Sequence, residues 1–250
     1  MTKNLKSKTQ ASDYYTSDEF WKNNLGNDSS YKVKVVDALL RKANLTTLPK
    51  CLRAVEIGCG DGAFLLPLAS SLKDKGVEFQ LAGYDISQMA IDRAKDNNSF
   101  PEDQVSFRVA SVGEIPDNLD MIFCIDVLEH VENPWEILRG LAGKSQYVIL
   151  HLPIEQSLGH WITGACSRSN IIYNHIHFFS WESAQIMLKE SPFKVIACQF
   201  TGATDFILTF NSGTIAKKIF HWMRYISYKL YPQITSMLAG GSVMILLENR

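Results

Sequence analysis

The sequence predicts an α/β fold built on a mostly parallel sheet, and three observations carry that expectation. Residues 53–62, RAVEIGCGDG, form an apolar run that ends in a glycine-punctuated turn and opens the helical pattern AFLLPLASSLK. A second apolar run, FQLAGYD, stops at the acid Asp85. Strand and helix then keep alternating, through Leu119–Ile125, the helical WEILRGLAGK and the strand-like QYVILHLP. Strands that alternate with helices pair in parallel. Right-handed crossovers bring their C-terminal ends to one edge, so Gly58, Asp85, Ser111, Asp126 and His151 are expected on a common rim.

Ahead of the first strand, DYYTSDEFWKNN at 13–24 has aromatic residues at helical intervals, and 30–43 repeats the pattern with Val33, Val36, Leu39 and Leu40. Tyr14, Tyr15, Phe20 and Trp21 are read first as core, with a lid over the site as the alternative. After the second strand, Ser87 caps a helix over 87–97, and Val105–Val109 makes a third strand before the turn ASVGEIP. Beyond Pro153 a loop carrying Gly159, His160 and Trp161 is expected, then a helix capped by Ser180 and a sixth strand, FKVIACQF. The segment IAKKIFHWMRYISYKLY at 215–231 reads as a helix with a broad apolar face and Lys217, Lys218, Arg224 and Lys229 elsewhere. SVMILLE then forms a terminal strand.

A chain of 250 residues suits one well-buried α/β domain with additions. A net charge of -1 argues against a protein that coats polyanions. The five cysteines contain no CxxC pair and read as buried reduced thiols of a cytoplasmic protein. The N-terminal MTKNLKSKTQ is polar and basic with no apolar core behind it, so it is read as a frayed tail and not a secretory signal. The long uncharged run at 230–247 is broken by Pro232 and by Gly240 and Gly241, as at a helix end and turn, so no transmembrane helix is expected.

Gly58, Gly60 and Gly62 let backbone approach a ligand where a Cβ would clash. Glu56 before this turn and Asp61 within it make it a poor seat for a pyrophosphate. Asp85, at the end of the next strand, is placed to take both hydroxyls of a ribose. Together these acids favour a ligand with a cationic amino-acid end and a ribose. Gly58, Gly60 and Ala63 also satisfy the loose glycine pattern of nicotinamide dehydrogenases, which the acid-flanked turn fits less well.

In their order and spacing, VEIGCGDG, GYDIS and DMIFCIDVLEHV resemble the successive motifs of class I S-adenosylmethionine (SAM) dependent methyltransferases, over a stretch from about Ala54 to the terminal strand. The resemblance implies a Rossmann-like seven-stranded, mostly parallel sheet with its last strand antiparallel and helices on both faces. It implies SAM as cofactor, with S-adenosylhomocysteine (SAH) as product. Carried onto this chain, the cofactor-binding residues are Glu56, Gly58, Cys59, Gly60, Asp85, Ile86, Ser111 and Asp126. Ser111 stands where the family commonly has a carboxylate that meets the adenine amino group. Residues 1–50 are then a tail and helices covering the site, and 51–250 the methyltransferase domain, with a helical insertion at about 214–238. Packing of that insertion on the sheet or on a second subunit is the first reading; an acceptor lid or attachment at a membrane surface is the alternative.

Methyl transfer from a sulfonium needs a positioned acceptor and, for a hydroxyl, a base. His130, His151 and His175 are the candidates on the rim. His175 and His177 alternate in an extended segment, so only one can face the pocket. His160 and His221 are read as ordinary loop and helix residues. The expected reaction is methylation of an oxygen or nitrogen on a small-molecule, sugar or lipid-like acceptor, by a protein with no strong nucleic-acid signal and compatible with a homodimer. One alternative rests on Asp126, Glu129 and His130 at i, i+3 and i+4, which would share a helical face and, with a histidine of NHIHFFSW, make a mixed oxygen and nitrogen metal site. That set resembles the metal-dependent small-RNA terminal ribose methyltransferases, where a longer Glu is typical at the position of Asp126. No residue is assigned as a metal ligand. A non-catalytic SAM-binding protein is the remaining alternative.

Overall fold

The computed structural model describes residues 28–45, 47, 49–201 and 215–250. The helix expected at 13–24, with Tyr14, Tyr15, Phe20 and Trp21, and the side chain of His221 lie outside the described residues. Seven strands form one sheet: β1 (Cys51–Ile57), β2 (Glu78–Asp85), β3 (Val105–Val109), β4 (Leu119–Ile125), β5 (Ser145–Ile154), β6 (Phe193–Thr201) and β7 (Gly241–Asn249). Their order across the sheet is β3-β2-β1-β4-β5-β7-β6. The first five pair in parallel, and β7 runs antiparallel to both β5 and β6. This is the sheet expected from the sequence.

Helices α1 (Ser29–Lys42), α2 (Leu65–Asp74) and α3 (Gln88–Asn97) cover one face, where Leu39, Leu65 and Ile91 pack with Phe123 and Ile149. Helices α4 (Pro134–Leu141) and α7 (Trp181–Lys189) cover the other, where Leu138 and Met187 meet Ile122, Leu150 and Ile245. Burial on both faces is why the central strands read as continuous apolar runs. Each fully buried Phe or Leu side chain, such as Phe193 or Leu150, contributes about 1.5–3 kcal/mol.

Local chemistry sets the helix starts. Ser87 caps α3 by accepting the Ala90 N–H, and Asn133 caps α4 by accepting the Glu136 N–H, with Pro134 in the first turn. The stretch expected as a loop after Pro153 instead holds two short helices, α5 (Leu158–Thr163) and α6 (Ala165–Tyr173). Ser157 caps α5, and left-handed Gly164 and Asn174 close α5 and α6 in turn. His160 therefore lies on a helix and not in a loop. The insertion is α8 (Ile215–Leu230) followed by α9 (Pro232–Ala239). The helix end expected at Pro232 is there, α8 stopping at Leu230, and Pro232 also opens the second helix.

The second departure is at DVLEHV, which is a turn and not a helix. Asp126 has φ 54, in the left-handed region, so no helical face joins it to Glu129 and His130. The direction of strand addition reverses beside β1, since β2 and β3 lie to one side and β4 and β5 to the other. Ligands of open α/β sheets bind in the crevice at that reversal, outside the C-terminal strand ends.

Candidate functional site

Three glycines turn the chain out of β1, with φ 64 at Gly58, 54 at Gly60 and 80 at Gly62. At Gly58 an added Cβ would lie 2.6 Å from Val127 Cγ2, so the turn is pressed against the segment leaving β4. The Gly60 N–H donates to Asp85 Oδ2 at 3.0 Å, and the Ser87 N–H donates to Asp85 Oδ1 at 2.9 Å. Asp85 thereby fastens the glycine turn to the start of α3. Burial raises its carboxyl above the ordinary range against the pull of these amides. Ile86, next in sequence, keeps an exposed apolar side chain at the rim.

Glu56 is buried beneath the turn, and its Oε2 has no hydrogen-bond partner among the described residues. Burial drives its carboxyl well above the usual value; Lys32 opposes the shift, and Asp85, Asp126 and Asp61 add to it. Cys59 is buried too, and burial, Glu56 and Asp85 hold its thiol far from ionisation. Its contribution is backbone, the N–H donating to Tyr84 O at 3.1 Å. Ser111 uses its hydroxyl and its N–H on Glu114 Oε2, at 2.9 and 2.8 Å, in the capping box of a 3-10 turn.

At the end of β4, Asp126 accepts from Lys32 Nζ at 2.5 Å and pairs through its other oxygen with His151 Nδ1. Lys32 also meets Asp28 at 3.0 Å. Burial penalises the Asp126 carboxylate, but His151 and Lys32 outweigh it and hold the group ionised far below its ordinary range. Burial likewise disfavours the Lys32 ammonium, and Asp126 and Asp28 more than restore it. His151, buried on β5 opposite Ile125, ends this chain of partners, whose central acceptor is Asp126.

A second cluster lies where the segment after α6 crosses the turn beyond β4. The N–H groups of Ile176 and His177 donate to Glu129 O at 2.9 and 3.0 Å. His175 is buried, its Nδ1 2.7 Å from Glu155 Oε2, and Ser169 Oγ donates to Glu155 Oε1 at 2.5 Å. Burial would raise the Glu155 carboxyl, but the His175 and Ser169 hydrogen bonds keep it below its usual value. The His130 ring stands edge-on to His175 with centroids 4.8 Å apart. Burial and the neighbouring His175 bring the His130 imidazole down to about 4. Glu129 is buried with neither carboxylate oxygen meeting a side-chain donor among the described residues. One ligand atom from each of Glu129, His130 and His175 lies within 4.8 Å of the others, close enough for one cation. His177 points elsewhere, with Nε2 3.2 Å from Glu132 O.

The sequence-predicted residues thus divide into a glycine-turn group (Glu56, Gly58, Cys59, Gly60, Asp85, with Ile86 beside it), Ser111 in its own capping turn, an Asp126–His151 pair and a His130–His175 pair. Sequence reasoning missed Lys32, Glu155 and Ser169. The alternative that set Asp126 on one helical face with Glu129 and His130 does not hold: Asp126 pairs with Lys32 and with His151, its expected neighbour on the rim.

Residues 30–197 match a family profile described as a methyltransferase domain. Over 137 residues the chain is 25% identical to a ubiquinone biosynthesis O-methyltransferase of Saccharomyces cerevisiae, covering 52% of this chain and 42% of that protein. Over 96 residues it is 30% identical to the ubiquinone biosynthesis O-methyltransferase of Neisseria meningitidis serogroup C, covering 36% of this chain and 38% of that one. The matches thus span about two fifths of these curated relatives' length. Among solved structures, magnesium protoporphyrin IX methyltransferase from Synechocystis PCC 6803 with bound SAH superposes with a TM-score of 0.61 at 16% identity, covering 96% of this chain and 98% of that one. A SAM dependent methyltransferase from Archaeoglobus fulgidus gives 0.53 at 21% identity, covering 87% and 94%.

Proposed function

The chain belongs to this methyltransferase-domain family, and from that premise we propose that it transfers the methyl group of SAM to an oxygen or nitrogen of a small-molecule, sugar or lipid-like acceptor. The observation that carries the reading is the acid-flanked glycine turn, in which Asp85 holds Gly60 and the buried Glu56 Oε2 lacks a partner among the described residues. A ribose suits the first acid and an ammonium suits the second. The names of the curated relatives, O-methyltransferases of ubiquinone biosynthesis, favour oxygen as the atom methylated. The test is formation of SAH when the purified chain is offered SAM and a panel of phenolic, sugar and lipid-like acceptors.

When bound, the donor supplies a methyl already activated on a sulfonium, so the protein's share is positioning and proton removal. Asp85 and the glycine turn hold the nucleoside end. Glu56 faces the amino-acid end. His151 takes the acceptor's proton at Nε2, while Asp126 accepts its Nδ1–H and fixes the tautomer. Lys32 holds Asp126 in place. His130 and His175 line the acceptor side of the rim.

The Glu56 environment sets a pH dependence. Its carboxyl is raised by burial and by Asp85, Asp126 and Asp61, with Lys32 opposing. A ligand ammonium lowers it again, so donor binding releases a proton. Donor affinity is expected to rise with pH by up to about tenfold per unit from the ordinary Glu range upward, then level off. Stability of the ligand-free protein moves the opposite way, falling over that window because the folded state holds this proton more tightly than the unfolded chain. Calorimetry across pH checks the affinity. Glu56→Gln should bind more weakly with a flat profile, and a flat wild-type profile would refute the assignment.

A second reading adds a divalent cation at Glu129, His130 and His175. The buried carboxylate of Glu129 is without a side-chain partner among the described residues, and His175 has its other nitrogen held by a carboxylate, as metal-bound imidazoles are. Mixed oxygen and nitrogen donors suit manganese, iron or zinc. Such an ion, when bound, supplies Lewis-acid activation of a hydroxyl. Calorimetric titration with manganese should show one site that His175→Ala abolishes while SAH binding persists; no heat and no rate effect would remove this reading.

A further inference from the structure

The exposed apolar surface of this protein is not scattered. Apart from Ile86, Val109, Ile186 and Val195, every large hydrophobic side chain that stands exposed among the described residues lies on α5, α6, α8 or α9 or in their flanking turns. Trp161 is 80% exposed, Ile171 70%, Ile215 77% and Leu230 65%, values that a water-facing surface does not ordinarily present together. These elements form one continuous surface. α9 packs on both α8 and α5. Ser227 of α8 bonds Thr235 of α9 at 2.6 Å, and Arg224 Nη2 donates to Ala239 O at 2.9 Å. Between α8 and α9 runs an open groove of about 400 Å³ lined by Met223, Arg224, Tyr231, Ile234 and Leu238.

The charge of this surface is one-sided. The chain as a whole has 25 basic and 26 acidic residues, yet residues 156–181 and 215–247 contain no Asp or Glu, while they carry Arg168, Lys217, Lys218, Arg224 and Lys229. Lys229 Nζ stands 4.8 Å from the centroid of the Tyr225 ring. Trp161, Trp222, Tyr225 and Tyr231 are all exposed there, and such rings with an apolar body and a polar edge favour the boundary between lipid and water. No helix among the described residues is long and apolar enough to cross a membrane. A basic, aromatic, amphipathic helix pair of this kind lies in the interface plane and does not span it.

We propose that α8 and α9, together with α5 and α6, seat this protein on an anionic bilayer surface. The acid-free, cationic rim selects the occupant. A second copy docked through the same patch would set like charges against one another, whereas anionic headgroups complement them. The anchor is joined to the candidate site, because Ser169 of α6 holds the Glu155 that holds His175. Seating the face on a bilayer therefore bears on the Glu155–His175 pair through α6. The inference does not rest on methyl transfer.

The test is co-sedimentation of the full chain with vesicles of phosphatidylcholine alone or with 30% phosphatidylglycerol. Binding is expected to rise with the anionic lipid and to weaken with salt. The double substitution Trp161→Ser and Trp222→Ser should weaken partitioning roughly tenfold or more, and Lys218→Glu with Lys229→Glu should remove the preference for phosphatidylglycerol. Unchanged SAH affinity shows that the variants remain folded, and separates failure of this proposal from failure of the cofactor assignment. Absence of binding to either vesicle would overturn the proposal. So would binding that the tryptophan substitutions leave intact, or a dimer in solution that they dissolve.

Discussion

Replacing Asp85 by alanine is expected to weaken SAH binding by a hundredfold or more. The carboxylate joins the glycine turn to the start of α3 through both oxygens, and in the proposed site it is the group that a ribose diol would meet. Each hydrogen bond to a charged acceptor contributes about 1.5–3 kcal/mol, so losing two costs about two to four powers of ten in affinity. Alanine also leaves the Gly60 and Ser87 N–H groups without their acceptor, which loosens the turn itself. Asp85→Asn separates the two effects. The amide oxygen still accepts from one N–H, so the fold is retained, yet the charge is gone and affinity should fall by roughly tenfold. Isothermal titration gives the affinities and thermal unfolding reports the fold. An Asp85→Ala protein that binds SAH within a few-fold of the wild type would refute the site.

The second large effect is expected on turnover. His151→Ala should lower kcat by about 10²–10⁴-fold, the usual contribution of a positioned base, while SAH affinity stays within a few-fold. Asp126→Asn acts on the same step through the imidazole, and it also deprives the buried Lys32 of its nearest counter-charge. The Asp126 side chain is still 32% exposed, so the stability lost is intermediate between that of open and enclosed ion pairs, about 1–3 kcal/mol. A depressed carboxyl contributes stability above its unfolded value, near 4, and loses it as pH falls further; Lys32, raised, contributes below its unfolded value, near 10.4. The pair therefore supports the fold evenly across neutral pH. Single-turnover measurements with a working acceptor decide the catalytic assignment, and an undiminished kcat in His151→Ala would remove it.

What the sequence disclosed follows from how local each signal is. The glycine turn and Asp85 could be read because a strand end, a run of glycines and an acid at the next strand end are each written in contiguous residues. Lys32 was legible and overlooked: it precedes Val36 by four residues and Leu39 by seven, on the apolar stripe of α1, and a lysine there calls for a buried counter-ion. The DVLEHV segment misled because its spacing suits a helix, while the left-handed backbone at Asp126 prevents one and Asn133 with Pro134 begins the real helix. The pairing of Glu155 with His175 was not legible. Two short helices intervene, and only their closure at Gly164 and Asn174 brings the residues together.

The place of β7 carries a consequence for how the chain assembles. Because β7 is wedged between β5 and β6 yet emerges from the ribosome after both, the nascent sheet has to keep a vacant slot until this strand arrives. The strands that carry the glycine turn pair with earlier, parallel neighbours, although α1 above them still waits for β6 and β7 to pack on. In the interval β6 has no ladder partner, and the slot exposes the backbone of β5 to any extended segment nearby. The ladder around the glycine turn is thus local to the earlier strands, and the closing of the sheet is the stage most open to error.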